Sequence, residues 1–541
     1  MRSKLLAVAI AAGLGVTSLH VMADPAPAQS SKSTTQSAQA AEIEALKAQL
    51  QALQAKVNEL EQRSDAQSDI NVSQGQAVEQ VQKQVAATDA QVKKGSDKIA
   101  YKGVNITLGG FLAAETIYRS ANQGADIASN YQAIPYNNVQ TAHMNEFRMS
   151  ARQSRLSALA QGDVSPDTHL AGYIEMDFLG GAQTANSNES NSFNPRMRNV
   201  YLTSDWDNSG LHLLAGQNWS LLTLNAKGIT PRTELTPPQI DAQYIPGFTW
   251  ARQAQIRLVK DWDKKYWLGI SIENPQTTFY TSPNQAKAPV QQTAYNIGAG
   301  SGFDSANTLS LNHIPDVVVK FAADPGYGHY ELFGLGRAFY NRYAVNGSYQ
   351  NHDTYGGGWG FGAVLPLIEK TLDWQLSGME GKGIGRYGSA QFSDVTFSPN
   401  GNLAPIKENM FLTGLTWHAN SDVDVYLFGG RESASKKDFQ YGTVALGYGN
   451  PAYNNSGCDT AGAAAATCVG NPKDIWQGTA GFWWKFYQGK FGKMQFGAQY
   501  SHTEKEAFAG QGYVNGVLTN GSFSPKAKED MFFTSFRYYP F

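Results

Sequence analysis

From residue 101 onward, apolar and polar residues alternate in short runs with the period of an extended chain. In Ala171–Leu179, read AGYIEMDFL, Ile174, Met176 and Phe178 project to one side, and Tyr173, Glu175 and Asp177 to the other. Lys265–Glu273 sets Tyr266, Leu268, Ile270 and Ile272 against Trp267, Gly269, Ser271 and Glu273. Lys493–Ser501 sets Met494, Phe496, Ala498 and Tyr500 against Gln495, Gly497, Gln499 and Ser501. A soluble sandwich also uses strands with one buried and one wet face. The spacing of connections decides between the two. Seven short polar connections stand at Asp163–Thr168, Asp205–Gly210, Asp261–Tyr266, Ala323–Gly328, Pro366–Thr371, His418–Val423 and Phe486–Lys493. Eight longer segments rich in Asn, Gly, Ser and Pro alternate with them, centred near residues 130, 187, 233, 293, 347, 393, 455 and 515. That alternation requires sixteen strands, with both ends of the run on the short-turn side. It predicts an all-β transmembrane barrel of about 16 antiparallel strands over residues 101–541, apolar toward lipid and polar toward a wet lumen.

Some stretches resist this reading. Ile106–Tyr118 alternates poorly, and Arg537 and Pro540 interrupt the last strand, which ends on an aromatic residue, Phe541. The sequence leaves the outward face of that strand unassigned. Gly356–Gly358, just before Trp359, predict a bend or a close approach of neighbouring strands.

The N-terminal part follows other periods. Residues 1–23 have the form of a secretory signal: Arg2 and Lys4, an apolar run from Leu5 to Val16, and the small-residue junction Val21-Met22-Ala23. Residues 24–41, rich in Ala, Gln, Ser and Pro, predict a flexible leader. Over residues 42–94 a heptad runs through Ile43, Leu46, Leu50, Leu53, Val57 and Leu60. It continues through polar Ser64, Gln67, Asn71 and Gln74, then returns in register at Val78, Val81, Val85, Thr88 and Val92. This predicts a coiled coil joining copies of the chain. A lone solvated helix, or one folded back on itself, is the alternative, and the pattern does not choose between two strands and three.

Composition narrows the function classes. Mean hydropathy is −0.38 and glycine reaches 54 residues, polar for a chain with 12% aromatics. Beyond residue 30 no run of about 18 apolar residues suggests a spanning helix, but barrel strands of about 10 residues escape that test. A net charge of −2 gives no reason to expect nucleic acid. Cys458 and Cys468 lie in one long loop and, after export, predict a disulfide, with two free thiols as the alternative. Gly381-Lys382-Gly383-Ile384-Gly385 lacks the ending of a phosphate loop. His169 and His418 fall at turns and His143, His313, His352 and His502 near strand–loop borders, without metal-ligand spacing. No cofactor or metal is expected, and no nucleophile stands beside a histidine to suggest an enzyme.

A barrel of this size is too wide for its side chains to fill, so inward-facing charges and any inserted loop define its chemistry. On the barrel reading Arg148 and Arg152 share a face with Glu146, Ser150 and Ser154, Arg196 shares one with Arg198, and Arg257 shares one with Gln253 and Gln255. Lys320 stands opposite Val317, Val319 and Phe321, and Glu175 and Asp177 face inward as well. Cations lining a pore favour anions, and guanidinium pairs with carboxylate in bidentate fashion. The plainer reading is mutual Arg–carboxylate pairing that stiffens the wall. The segment Trp219–Phe248, with Pro231, Pro237, Pro238 and Pro246, is long enough to fold inward and places Lys227, Arg232, Glu234 and Asp241 at a constriction. A surface loop packed on a neighbouring subunit is its alternative.

The whole arrangement resembles the DcaP-like trimeric outer-membrane porins. The likeness is most specific in Ala151-Arg152-Gln153-Ser154-Arg155-Leu156, in Gly172–Gly180 running toward Asn188-Glu189-Ser190-Asn191-Ser192, and in Ala215-Gly216-Gln217-Asn218-Trp219-Ser220-Leu221-Leu222. Pro246-Gly247-Phe248, Trp250 and Arg252-Gln253 add to it. The resemblance implies a homotrimer in outer-membrane lipid, a periplasmic coiled coil, a third long loop that narrows the pore, and passive uptake of small anions such as dicarboxylates. Two other functions fit the same pattern: a structural protein whose coiled coil tethers the envelope to the cell wall, and a barrel enzyme.

Overall fold

The computed structural model describes residues 99–183, 193–299 and 308–541. The signal peptide, the leader and the heptad segment lie outside the described residues. Sixteen strands build the barrel. They are β1 Val104–Arg119, β2 Glu146–Ser150 resumed as Arg155–Ser165, β3 Thr168–Gln183, β4 Phe193–Trp206, β5 Leu211–Trp219 and β6 Arg252–Trp262. Then come β7 Tyr266–Glu273, β8 Asp316–Ala323, β9 His329–Val345, β10 Ser348–Ile368 and β11 Leu372–Lys382. The last five are β12 Lys407–Asn420, β13 Val423–Ala434, β14 Pro472–Gly489, β15 Gly492–Ala507 and β16 Lys526–Tyr539. Each pairs antiparallel with its successor, and β16 returns to β1 from Leu112↔Tyr538 to Arg119↔Met531, which closes the sheet and leaves no edge.

All seven short polar connections join consecutive strands at one end of the barrel. At the other end the segment near residue 347 departs from expectation. It is a hairpin in which β9 and β10 stay paired up to Val345↔Ser348. Asn346 and Gly347 close it with φ of 51° and 77°, the geometry that makes Asn-Gly a preferred two-residue turn. The polar composition of Gln350–Asp353 masks that turn signal in the sequence.

Side-chain facing follows the alternation. In β7, Tyr266, Leu268, Ile270 and Ile272 are exposed on the outside, whereas Trp267, Ser271 and Glu273 are buried within. In β3, Ile174 is exposed while Tyr173, Glu175 and Asp177 are buried. Outward aromatics gather near the short turns (Trp262, Tyr266, Tyr330, Trp417, Trp484, Phe486) and again toward the long loops (Trp359, Phe411, Trp476, Tyr500, Phe532). These are the two interfacial girdles of a membrane barrel.

The irregular stretches now have causes. β1 does alternate, but its inward set includes apolar Phe111 and Ile117, which hides the period. Arg155 and Arg537 lie over the Phe111 ring, with guanidinium carbons 5.3 and 4.9 Å from its centre. In β16, Phe532 and Phe536 face outward, and Arg537 turns inward to Glu115 at 2.9 Å. Gly357 has φ 138°, and a Cβ there would lie 2.1 Å from the Leu335 carbonyl oxygen, so three strands approach where only glycine fits. Cys458 and Cys468 are joined in a disulfide within the loop between β13 and β14.

Because Ile270 faces out in mid-strand, Ile270→Arg is expected to cost about 2–4 kcal/mol of folding stability in vesicles. Urea titration of refolding into lipid vesicles measures this. An unchanged midpoint contradicts the lipid-facing assignment.

Candidate functional site: a segment inserted into the lumen

Residues 220–251 link β5 to β6, and nearly all of them are buried. The segment enters as a hairpin. Leu235 N donates to Leu224 O at 2.7 Å, Ala226 N to Thr233 O at 2.7 Å, and Asn225 bridges Glu234. At its tip Gly228 N donates to Asp324 Oδ2 at 3.0 Å, and Asp324 belongs to the short turn between β8 and β9. The hairpin therefore reaches from the long-loop end of the barrel to the short-turn end. Residues 236–248 then cross toward the far wall. There Trp483 Nε1 donates to Pro238 O at 3.0 Å, Ile240 N to Gln499 Oε1 at 2.6 Å, and Gly247 N to Glu432 Oε1 at 2.7 Å.

A backbone without regular structure needs partners for its N–H and C=O groups once buried. The wall charges supply them. Lys320 Nζ donates to Thr223 O at 2.6 Å and Asn225 Oδ1 at 3.2 Å while paired with Glu331 at 2.7 Å. Glu331 also accepts from Asn225 N at 3.0 Å, and Glu273 from Leu221 N at 2.8 Å. Arg257 Nη2 donates to Trp219 O at 2.7 Å, and its Nε to Gln255 at 3.0 Å.

Two other long loops pack onto the segment. Trp250 N donates to Tyr387 O, and Ser389 N to Phe248 O, from the loop between β11 and β12. Tyr131, in the loop after β1, donates through its hydroxyl to Tyr244 O at 2.6 Å. Ile127, Tyr244, Ile245, Phe248 and Phe392 thereby form one apolar cluster inside the barrel, closed against Tyr426 and Phe428 of β13. Asp241 sits in this packing, accepting from Ser129 N at 3.1 Å and Gln243 N at 2.9 Å, and burial pushes its carboxyl above the ordinary range.

The residues singled out in the sequence fall into distinct groups. Arg196 grips Asp177 in bidentate fashion (3.0 and 2.7 Å), and Arg198 bridges Glu175 at 2.7 Å and Asp177 at 2.9 Å. Arg257 and Lys320 hold the base of the inserted hairpin, as described above. Arg148 stands apart, paired with Glu146 at 3.2 Å and half exposed. Arg152 does not continue its face, because the strand breaks at Ala151–Ser154. Its guanidinium instead spans the break, reaching Asp126 at 3.2 Å, Phe178 O at 3.1 Å and Gly180 O at 3.0 Å. Of the loop residues, Lys227 is exposed at the hairpin tip, and Arg232 donates to the Tyr201 hydroxyl at 3.1 Å. Glu234 accepts from Asn218 at 2.8 Å, while Asp241 lies farther along, in the crossing strand of chain.

Three residues escaped the sequence reading. Arg155 resumes the lumen face after the break and approaches Glu175 at 3.9 Å. Arg252, at the start of β6, stacks 4.5 Å over Trp219 and makes no ion pair among the described residues. Its charged neighbours are Arg198, Arg196 and Asp177. Glu432 on the far wall accepts from Gly247 N and Ala390 N. The ARQSRL and WARQ runs contain both arginines, but alternation alone does not tell a strand break from a strand.

No family model matches this chain, and no curated protein sequence does. Solved structures do match. The outer membrane channel DcaP of Acinetobacter baumannii aligns over 81% of this chain and 99% of its own, with TM-score 0.54 at 16% identity. An anion-selective porin from Comamonas acidovorans aligns over 81% and 99%, with TM-score 0.43 at 13% identity. Salmonella typhi OmpF, in complex with daunomycin, aligns over 82% and 99%, with TM-score 0.43 at 9% identity.

Three substitutions test the anchoring. Lys320→Met leaves buried Glu331 with His329 as its remaining cationic partner and strips Thr223 O of its donor, so it is expected to cost about 1–3 kcal/mol. Asp241→Asn keeps the acceptor oxygen and removes the cost of a buried charge, so it should be neutral or stabilising at pH 7. Asp241→Ala should cost about 1–3 kcal/mol. The raised carboxyl pKa makes the folded state favour the protonated form, so the gain from Asn should shrink as pH falls through that pKa. Denaturant midpoints at two pH values check all three, and equal midpoints for Asn and Ala contradict the assignment.

Proposed function

Starting from a fold it shares with the DcaP outer-membrane channel, we propose that this chain is an outer-membrane porin for the passive uptake of small organic anions such as dicarboxylates. The observation that carries the reading is Arg252, a cation beside Arg196 and Arg198 that makes no ion pair among the described residues. Arg196 keeps 29% of its side chain exposed even while paired, so a solute can reach that group. A surplus of cations on one stretch of the lumen wall favours anions there. A planar guanidinium pairs with a carboxylate in bidentate fashion, and Arg196 presents one at the accessible edge of this group.

The same reading includes a homotrimer. Outward Ala114, Ala158, Ala160, Gly172 and Ala215 on β1, β2, β3 and β5 lie among exposed Leu112, Leu156, Ile174, Met197 and Leu202, an apolar face suited to subunit contact. The heptad over residues 42–94 would join the three chains on the short-turn side.

Reversal potential in a salt gradient tests the selectivity. Wild type is expected to prefer anions, and Arg196→Glu combined with Arg252→Glu to shift the preference toward cations by several-fold in permeability ratio. A cation-preferring wild type overturns the reading.

A further inference from the structure

Near the short turns, histidines stand repeatedly between two carboxylates. His169 lies between Asp163 (2.6 Å) and Asp207 (3.3 Å), and His212 between Asp205 (2.6 Å) and Asp261 (2.9 Å). His418 lies between Asp424 (2.7 Å) and Asp373 (3.4 Å), and His329 between Asp324 (2.8 Å) and Glu331 (3.1 Å). Each time one carboxylate faces Nδ1 and the other Nε2. The first three bridges tie strands and turns of the wall to one another. The bridge at His329 reaches the inserted segment.

His329 opens β9 directly after the turn Asp324–Gly328, and the strand period of two sets it on the same inward face as Glu331. Both of its carboxylates also fasten the hairpin. Asp324 presents Oδ1 to His329 Nδ1, and Oδ2 to Gly228 N and Trp267 Nε1, each at 3.0 Å. Glu331 presents Oε1 to His329 Nε2 and to Asn225 N, and Oε2 to Lys320 Nζ. From β10 the residue opposite His329 is uncharged Val364, and the ring makes no third ion pair among the described residues.

Two acceptors on two ring nitrogens need two N–H donors, and only the doubly protonated ring supplies both. A neutral ring turns a lone pair toward one carboxylate, which loses a charge-assisted hydrogen bond. We propose that imidazolium His329 is the latch that holds the hairpin tip at the short-turn end, and that loss of its proton as pH rises frees Gly228 and Asn225. The latch holds while the ring carries both protons and opens when one leaves, so the change runs toward release at alkaline pH. Its effect on current, unlike the latch itself, rests on the porin reading: a freed tip moves within the conducting path.

Hydrogen–deuterium exchange of the full-length protein in detergent, read by mass spectrometry and corrected for the intrinsic pH dependence of amide exchange, tests the latch. Between pH 7 and pH 9.5 the wild-type stretch 224–235 is expected to lose protection about tenfold, the scale of one hydrogen bond to a charged group. His329→Gln carries no charge and should show the lower protection at both pH values. His329→Lys keeps its charge over this range, because the ordinary lysine pKa is about 10.4, and should stay protected at both. Wild-type protection of β13 to β16 in both variants shows that the barrel is folded. The other three histidines titrate in every variant, so an alkaline loss of protection that persists in His329→Lys overturns the proposal. Undiminished protection of the wild type at pH 9.5, or of His329→Gln at pH 7, overturns it as well. In planar bilayers the same pH step should make the wild-type current fluctuate and leave His329→Lys steady. Lost protection with a steady wild-type current supports the latch and contradicts the porin reading alone, so the two failures are distinguishable.

Discussion

The structure depends on inward-pointing polar and charged wall residues that satisfy the backbone of a segment with little secondary structure of its own. A sixteen-strand cylinder is stable at its rim, where every strand has two neighbours, but its interior is too wide to pack. Filling it with chain buries peptide groups, and each one left unpaired costs about as much as a lost hydrogen bond. Lys320, Glu331, Glu273 and Arg257 answer that cost on one wall, and Glu432, Gln499 and Trp483 on the other. The backbone carrying Tyr244 and Phe248 is satisfied by other loops and by its own turns: the Tyr131 hydroxyl and Ser389 N donate to their carbonyls, and their N–H groups donate to Asp241 O and Ile245 O.

The same logic separates two kinds of charge in the lumen. Lys320 and Arg257 are committed to main-chain carbonyls, so neutralising them acts first on the position of the inserted segment. Arg196, Arg198 and Arg252 sit on the side of the wall where carboxylates do not balance them all. On the proposed function they act on passing anions instead. Removing one partner from the Glu175–Asp177 cluster would disturb both, since that cluster couples wall stiffness to the surplus of positive charge.

Much of the barrel was legible because a half-buried strand has a strict period of two and because turn residues punctuate it. Strand number, closure and the seven short turns follow from those signals alone. What stayed hidden was set by tertiary contact. Phe111 and Ile117 point inward because Arg155, Arg537 and the loop cluster cover them, so β1 loses its visible alternation. The break at Ala151–Ser154 moves Arg152 off the lumen face and brings Arg155 onto it, a shift that residue spacing does not encode. The inserted loop was legible from its length and prolines. Its depth was not, because that depth depends on Gly228 meeting Asp324 almost a hundred residues away.

The most direct measurement is single-channel conductance of a variant in which residues 224–248 are replaced by a short Gly-Ser linker, recorded in the same bilayer as wild type. If the segment fills the lumen, conductance rises several-fold and discrimination between anions and cations falls. Unchanged conductance and selectivity would place the segment outside the conducting path and contradict the account.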